Sequence, residues 1–290
     1  MSLVAVSATA YLFPGQGSQT AEMRDEVARL RPDLLAVATA AVGEDPYPGV
    51  DDDTRFQQPA LLAASLARWS SVRDVDDEAF FLGHSLGELG ALAAAGALSD
   101  ADAVALAAMR GRLMSQAALR SEGGMVALLG VSHADAERLA RDHGLTVAND
   151  NAPGQLVLAG PRAHLDAAVA AAKDAGLKAM RLGVAGAFHT PAMGSVRAAW
   201  ELALGDIDFR VPEGTVYSCL TARPIDDPAA ALADALTSPV HFRQALLELA
   251  RQGVTRFVEV GPGRVLTGLV RRTLPDAEAI TLELPEVVGA

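Results

Sequence analysis

One stretch constrains this chain more than any other: Phe80-Phe81-Leu82-Gly83-His84-Ser85-Leu86-Gly87-Glu88. Ahead of it, Glu78-Ala79-Phe80-Phe81 closes an apolar run of strand length, and behind it Leu86 to Leu98 is rich in alanine and leucine, as a buried helix would be. Gly83-x-Ser85-x-Gly87 between a strand and a helix is the pattern of a nucleophile elbow. Glycines have no Cβ, so the chain can turn sharply there and another segment can approach closely. Ser85 is then held at the turn with its hydroxyl exposed, beside the positive end of the following helix. The backbone N–H of Leu86 is placed to stabilise an oxyanion. A short pattern in a chain with 26 glycines also arises by chance, so a base, a second oxyanion donor and a substrate anchor have to come from elsewhere.

Charge limits what such a site can act on. The formal net charge is −12, which argues against nucleic acid or an anionic membrane as the main partner. An anionic substrate then requires locally concentrated basic side chains, for which Arg110, Arg112, Arg120, Arg271 and Arg272 are candidates; clustered arginines are ordinarily a solvated helix face. Each apolar run is interrupted by Arg or Asp before it reaches membrane-spanning length. The first ten residues, MSLVAVSATA, lack a basic region and read as a lead into a first strand, not as a signal peptide. A lone Cys219 excludes an intrachain disulfide and fits a reducing cytoplasm. One cysteine in a valine-rich strand is ordinarily a core residue. A chain of 290 residues accommodates a large domain carrying a smaller one.

Ala10-Tyr11-Leu12-Phe13 reads as a buried first strand, running into Pro14-Gly15-Gln16-Gly17-Ser18-Gln19 and a helix from about Thr20. A glycine-rich loop at a helix start can bind an anion through its N–H groups. Neither a phosphate-loop Lys nor a G-x-G-x-x-G fingerprint is present. The functional reading is an oxyanion loop with Gln16 as donor, and the alternative is a plain strand-to-helix turn. Val42 to Thr54 is acidic and turn-rich, predicting an exposed loop; its Asp51-Asp52-Asp53 lacks the spaced ligands of a calcium loop. A helix is predicted from Pro59 to Val72, and Ser99-Asp100 signals the cap of another from about Ala101 to Arg120. Within that second helix Arg110 has buried neighbours, Val104, Leu106, Ala107 and Met114, and needs a partner or an anionic ligand.

From Gly124 to Phe188 the texture changes to strand, helix, two strands, helix and strand. This β-α-β-β-α-β order is the ferredoxin-like pattern. It predicts a small domain, residues 123–187, inserted into a large one made of residues 1–122 and 188–290. The large domain resumes with a helix through Val196 to Leu204 and a strand near Thr215 to Leu220. A helix around Phe242 to Arg251, a strand Arg256 to Val260, a Gly261-Pro262-Gly263 turn and a helix Arg264 to Arg272 complete it.

Seven stretches in order along the chain carry a resemblance: FPGQGSQ (13–19), QPALLAASL (58–66), GHSLGE (83–88), MRGRLM (109–114), NDNAPGQLVLAG (149–160), GAFHTPAM (186–193) and VEVGPGRVLTGL (258–269). Together they resemble the malonyl-CoA:acyl-carrier-protein transacylases, and the likeness extends to the acyltransferases of polyketide synthases. The resemblance implies an α/β fold: an α/β-hydrolase-like large domain with a parallel sheet and nucleophile elbow, plus the inserted ferredoxin-like α+β domain. It implies Ser85 as the nucleophile that takes the acyl group from the CoA thioester, and His189 as the base that activates it. It further implies that backbone carbonyls, not an acid, orient the imidazole. The oxyanion hole would be the N–H groups of Gln16 and Leu86, and Arg110 the fork that holds the malonyl carboxylate. Gln58, Asn149 and Asn151 match polar residues lining the family's site. Phe188 matches the malonyl-type signature, where methylmalonyl-selective relatives carry serine. Of the other histidines, His133, His143 and His164 are expected on surface helices or caps, His241 at a helix start, and His84 in a structural role with its side chain turned away from Ser85.

The implied partners are malonyl-CoA and an acyl carrier protein bearing phosphopantetheine, with no nucleic acid and no membrane. No cofactor or metal is expected, and the enzyme is expected to be a cytoplasmic monomer serving fatty-acid or polyketide synthesis. Two departures from the family pattern stand out. Ala235 occupies a position usually held by Gln or Asn; alanine suffices if only its carbonyl orients His189, and the dyad is weakened otherwise. The segment Val42 to Thr54 is short. Three alternatives remain open: a discrete polyketide acyltransferase using another acyl group or a carrier-bound donor, an editing acyl-carrier-protein hydrolase, and a non-catalytic carrier-protein docking module.

Overall fold

The computed structural model describes residues 8–72, 75, 78–184 and 186–284; of the lead Met1–Ala10, residues 1–7 lie outside the described residues. In chain order the first elements are β1 (Ala8–Phe13), α1 (Met23–Leu30), α2 (Pro32–Val42), α3 (Thr54–Trp69), β2 (Phe80–Gly83), α4 (Gly87–Ala94) and α5 (Asp100–Ser121). Then come β3 (Gly123–Leu129), α6 (His133–Asp142), β4 (Thr146–Ala152), β5 (Gln155–Pro161), α7 (Arg162–Asp174) and β6 (Lys178–Arg181). The last elements are α8 (Arg197–Gly205), β7 (Thr215–Tyr217), α9 (Pro228–Ala235), α10 (Phe242–Arg251), β8 (Val254–Glu259), α11 (Val265–Thr273) and β9 (Glu278–Thr281).

Two sheets form. One is parallel throughout, in the order β7-β2-β1-β8-β9; the other is antiparallel throughout, in the order β4-β5-β3-β6. Side chains alternate across a strand, so a sheet covered on both faces must be apolar at successive positions. β1 is built that way. Tyr11 and Phe13 join the core beneath α2, α3 and α5, whereas Ala10 and Leu12 join the one beneath α10 and α11. Trp69 at the end of α3 seals the first face, with its ring 5.0 Å from Tyr11 and 5.7 Å from Phe81.

The central strands of the antiparallel sheet, β3 and β5, are also buried on both faces. Val126, Leu128, Leu156 and Leu158 meet residues of α6 and α7. The alternate residues Met125, Ala127, Val157 and Ala159 belong to the main core. One glycine fixes a contact the site depends on: a Cβ on Gly111 of α5 would lie 2.5 Å from the carbonyl oxygen of Thr54. Its absence lets α5 approach the first turn of α3, and so brings Arg110 to Gln58.

Several elements differ from the sequence expectation. The single helix from Thr20 is two helices, broken at Arg31 with Pro32 at the first position of α2, where its missing N–H costs nothing. α3 begins at Thr54, not Pro59, because the Asp53 side chain accepts the Arg55 N–H at 2.8 Å and caps it. Pro59 sits inside that helix. The Val42–Thr54 segment is not wholly an exposed loop: Pro46 and Tyr47 are buried, and the Tyr47 hydroxyl donates to the Ala60 carbonyl at 3.2 Å. α9 and β9 have no counterpart in the sequence pattern; PAAALADA reads as a bland alanine run and EAIT is short. β7 stops at Tyr217, so the buried Cys219 lies just past the strand. Nor do the five arginines form a patch: Arg112, Arg120, Arg271 and Arg272 are exposed, and Arg110 alone is buried. Among the described residues no helix is long and apolar enough to cross a membrane.

Candidate active site

Ser85 stands between β2 and α4 with φ at +55°, a left-handed conformation that costs about 1–3 kcal/mol in a non-glycine residue and persists only where its surroundings hold it. The surroundings are crowded backbone. A Cβ on Gly87 would fall 1.9 Å from the Phe13 carbonyl oxygen, and one on Gly83 would fall 2.0 Å from the Glu88 nitrogen. A Cβ on Gly15 would lie 2.6 Å from the His84 carbonyl oxygen. The elbow is therefore pressed against the loop after β1, and the His84 N–H donates to the Phe13 carbonyl at 2.9 Å. Among the described residues neither the Gln16 nor the Leu86 backbone N–H donates to a backbone acceptor.

His189 also has a left-handed backbone, at φ +58°. Its Nε2 lies 2.8 Å from Ser85 Oγ, and its Nδ1 lies 3.0 Å from the carbonyl oxygen of Ala235 at the end of α9. A carbonyl only accepts, so Nδ1 carries the proton and Nε2 is free to accept one from Ser85. The contact at position 235 is thus made by the backbone oxygen. Burial, then the nearby Arg110 cation and His84, push the imidazole pKa down to about 3, which keeps the ring neutral.

Arg110 is buried, 3% exposed. Its Nη1 donates to Gln58 Oε1 at 3.0 Å and its Nη2 to Ser85 Oγ at 3.1 Å. Burial lowers its pKa to about 10, with Glu88 opposing. Both hydrogen-bond partners are neutral, so the guanidinium keeps a demand for an anion. Gln58 is held in turn by donation to Thr54 Oγ1 at 2.9 Å. The Gln16 side chain bonds Gln57 on the same helix.

The two asparagines lie on β4. Asn149 bridges to Val240 in the chain before α10, and Asn151 Oδ1 meets His84 Nε2 at 2.8 Å. Phe188, 4% exposed, walls a cavity of about 640 Å³ together with Gln16, Asp53, Gln57, Ala118 and Arg162. Asp51 and Asp52 also line it. Among the described residues no group of three or more His, Cys, Asp or Glu side chains is placed to hold a metal ion.

The acyl transferase domain family matches residues 10–289. The chain belongs to that family. It is 37% identical to the malonyl CoA-acyl carrier protein transacylase of Salmonella typhimurium over 97% of each chain. The solved malonyl-CoA:acyl carrier protein transacylase of Xanthomonas oryzae superposes with a TM-score of 0.88 at 34% identity, covering 97% of this chain and 96% of that one. A malonyl-transacylase solved in complex with its type II polyketide acyl-carrier protein superposes at 0.85 and 31% identity, over 95% of this chain and 94% of that one. The pairing of a parallel and an antiparallel sheet is shared with these solved structures.

The acyl transferase site also holds a buried carboxyl group to which the sequence reading assigns no role. Glu88 is buried in α4, and its Oε1 accepts the Cys219 N–H at 2.9 Å. Burial raises its pKa, while hydrogen bonds from Cys219 and Ser218 and the charge of Arg110 oppose the rise. The signal was present: a lone glutamate in Gly87–Ala94, where every other residue is Gly, Ala or Leu. His84 was expected to be structural, and it is packed against Phe242 with ring centroids 5.1 Å apart. His241 is the N-terminal cap position of α10 but makes no side-chain cap bond.

Proposed function

We propose that this acyl transferase moves a malonyl group from malonyl-CoA to the phosphopantetheine thiol of an acyl carrier protein, through an acyl-enzyme on Ser85. One observation carries the reading. Ser85 Oγ has a neutral imidazole nitrogen at 2.8 Å and a buried guanidinium at 3.1 Å: a nucleophile, its base and an anion anchor meet at one oxygen. The names of the relatives support the same acyl group and acceptor.

The Ser85 hydroxyl proton passes to His189 Nε2 as Oγ attacks the thioester carbonyl carbon. The backbone N–H groups of Gln16 and Leu86 receive the resulting oxyanion, and losing one such donor costs about 2.7–4 kcal/mol. Collapse breaks the carbon–sulfur bond; the CoA sulfur takes the proton back from His189 and leaves as the thiol. The carrier thiol then gives its proton to His189 and attacks the acyl-serine carbonyl; the carbon–Oγ bond breaks, and Ser85 Oγ takes the proton back from His189. Arg110 pairs both oxygens of the malonyl carboxylate with its fork, while Gln58 fixes its other side. The malonyl charge also offsets the cation that disfavours a proton on His189, so binding the correct acyl group makes the imidazole a stronger base. Phe188 closes the wall where a branched acyl chain would need room. The two half-reactions balance without a bound cofactor.

The large unit, residues 1–122 and 188–290, is read as α/β-hydrolase-like, its support being the elbow at the end of a central parallel strand. The unit at 123–187 is read as a ferredoxin-like insertion. Its order, β6-β3-β5-β4, places the first and third strands centrally, as a split β-α-β pair requires.

The test is intact-protein mass after brief exposure to malonyl-, methylmalonyl- and acetyl-CoA. A malonyl adduct is expected on the wild type, absent in Ser85→Ala, and discharged by adding a holo carrier protein. An adduct that decays in water as fast as with the carrier would overturn the transferase in favour of a hydrolase.

A further inference from the structure

Two residues with left-handed backbones must be held in register for a hydroxyl and an imidazole to meet at 2.8 Å, and β4 touches the flank of each. On the nucleophile side, His84 immediately precedes Ser85. Its main chain is tied to β1 through Phe13, and its ring is tied to Asn151 Oδ1 at 2.8 Å. An amide oxygen only accepts, so His84 donates from Nε2; burial disfavours its charged form. The other face of the ring rests on Phe242.

On the base side, Nδ1 of His189 reads the carbonyl of Ala235. Five residues later the same segment is stitched to β4: the Val240 N–H donates to Ala148 at 2.9 Å, and the Asp150 N–H donates to Val240 at 2.8 Å. Arg243 on α10 then forks onto the buried Asp150 carboxylate at 2.6–3.1 Å, a charge-assisted geometry that resists sliding. Four consecutive residues, Ala148 to Asn151, thus span from the flank of the nucleophile to the flank of the base.

We propose that Asn151 is a positioning residue that sets Ser85 through His84, with β4 as the common reference for both members of the dyad. The proposal rests on the roles given above to Ser85 and His189. The amide oxygen of Asn151 is spent on His84, so the residue acts on the reaction through its neighbour, without having to touch the acyl group.

The test measures the rate at which phenylmethylsulfonyl fluoride, a small uncharged serine reagent, modifies Ser85, alongside kcat and KM for malonyl transfer. Asn151→Ala should slow the modification about tenfold and lower kcat similarly, with KM for malonyl-CoA within about twofold. His84→Asn, which removes the donor at the Nε2 position, should match it, and the double variant should be no slower than either single one. His84→Gln, whose amide nitrogen reaches the Nε2 position, should react at least about three times faster than His84→Asn. A raised KM with an unchanged modification rate would make Asn151 a substrate contact and overturn the proposal; so would losses that simply multiply. If Asn151→Ala does not fold, the His84→Gln and His84→Asn pair decides alone, equal rates overturning the proposal. Failure of the wild type to be acylated at Ser85 strikes the underlying reading instead.

Discussion

Ser85 and His189 share a left-handed backbone but are held there by opposite means. Ser85 is fixed by repulsion. Three glycines around it leave no space for a Cβ, with backbone atoms 1.9 to 2.6 Å from where each would stand. His189 is fixed by attraction, through a hydrogen bond to a main-chain carbonyl at 3.0 Å. A steric constraint writes itself into residue identity, because only glycine satisfies it. A main-chain acceptor writes nothing, because every residue carries one.

That contrast can be broken from the steric side first. Gly87→Ala should be the most damaging of these changes, costing about 4 kcal/mol or more in urea unfolding, since the obstacle is the Phe13 backbone and cannot rotate away. Arg110→Ala comes next: kcat/KM for malonyl-CoA should fall roughly a hundredfold or more, in line with the 2–5 kcal/mol typical of truncating one partner of a buried charge pair. The same variant should react faster than wild type with an uncharged serine reagent, because the cation no longer holds Ser85 Oγ or opposes a proton on His189. A slower reaction would show that Arg110 assists the dyad instead of restraining it.

The pH dependence follows from the depressed His189. Its folded pKa near 3 lies below the ordinary 6.5, so kcat/KM should show no inflection between about pH 8 and 5.5 in steady-state assays. Between those two pKa values the unfolded chain binds the extra proton. Stability from this group is therefore full above about 6.5 and is lost as pH falls toward 3, which urea midpoints across that range would register. The smallest effect is expected of Ala235→Ser, whose main-chain oxygen stays in place: kcat should change less than about threefold. A tenfold drop there would mean that the side chain at 235 matters to the base after all.

The same contrast governs what could be read from the sequence. The elbow, the β-α-β-β-α-β order and α10, placed at Phe242–Arg251 in both readings, rest on glycine spacing and apolar periodicity. α9 and β9 escaped because their residues carry no strong pattern. The split between α1 and α2 turned on recognising Pro32 as a first-turn residue instead of an interruption. Of the candidate site, Ser85 was legible from local pattern. Arg110 was legible as a buried arginine in want of a partner, whereas His189 depended on likeness to a family, since its orienting group is a carbonyl 46 positions away. The bond from Asn151 to His84 joins residues 67 positions apart, and nothing local to either announces it.

The inner face of the antiparallel sheet has a practical consequence for anyone exchanging parts between such enzymes. Met125, Ala127, Val157 and Ala159 are packed into the main core, so the unit is not a removable accessory. Lifted out, it would carry a bare apolar wall into water; replaced by a foreign counterpart, it would have to match that wall side chain for side chain. Chimeras cut at residues 123 and 187 should fail through insolubility before they fail through altered choice of acyl group.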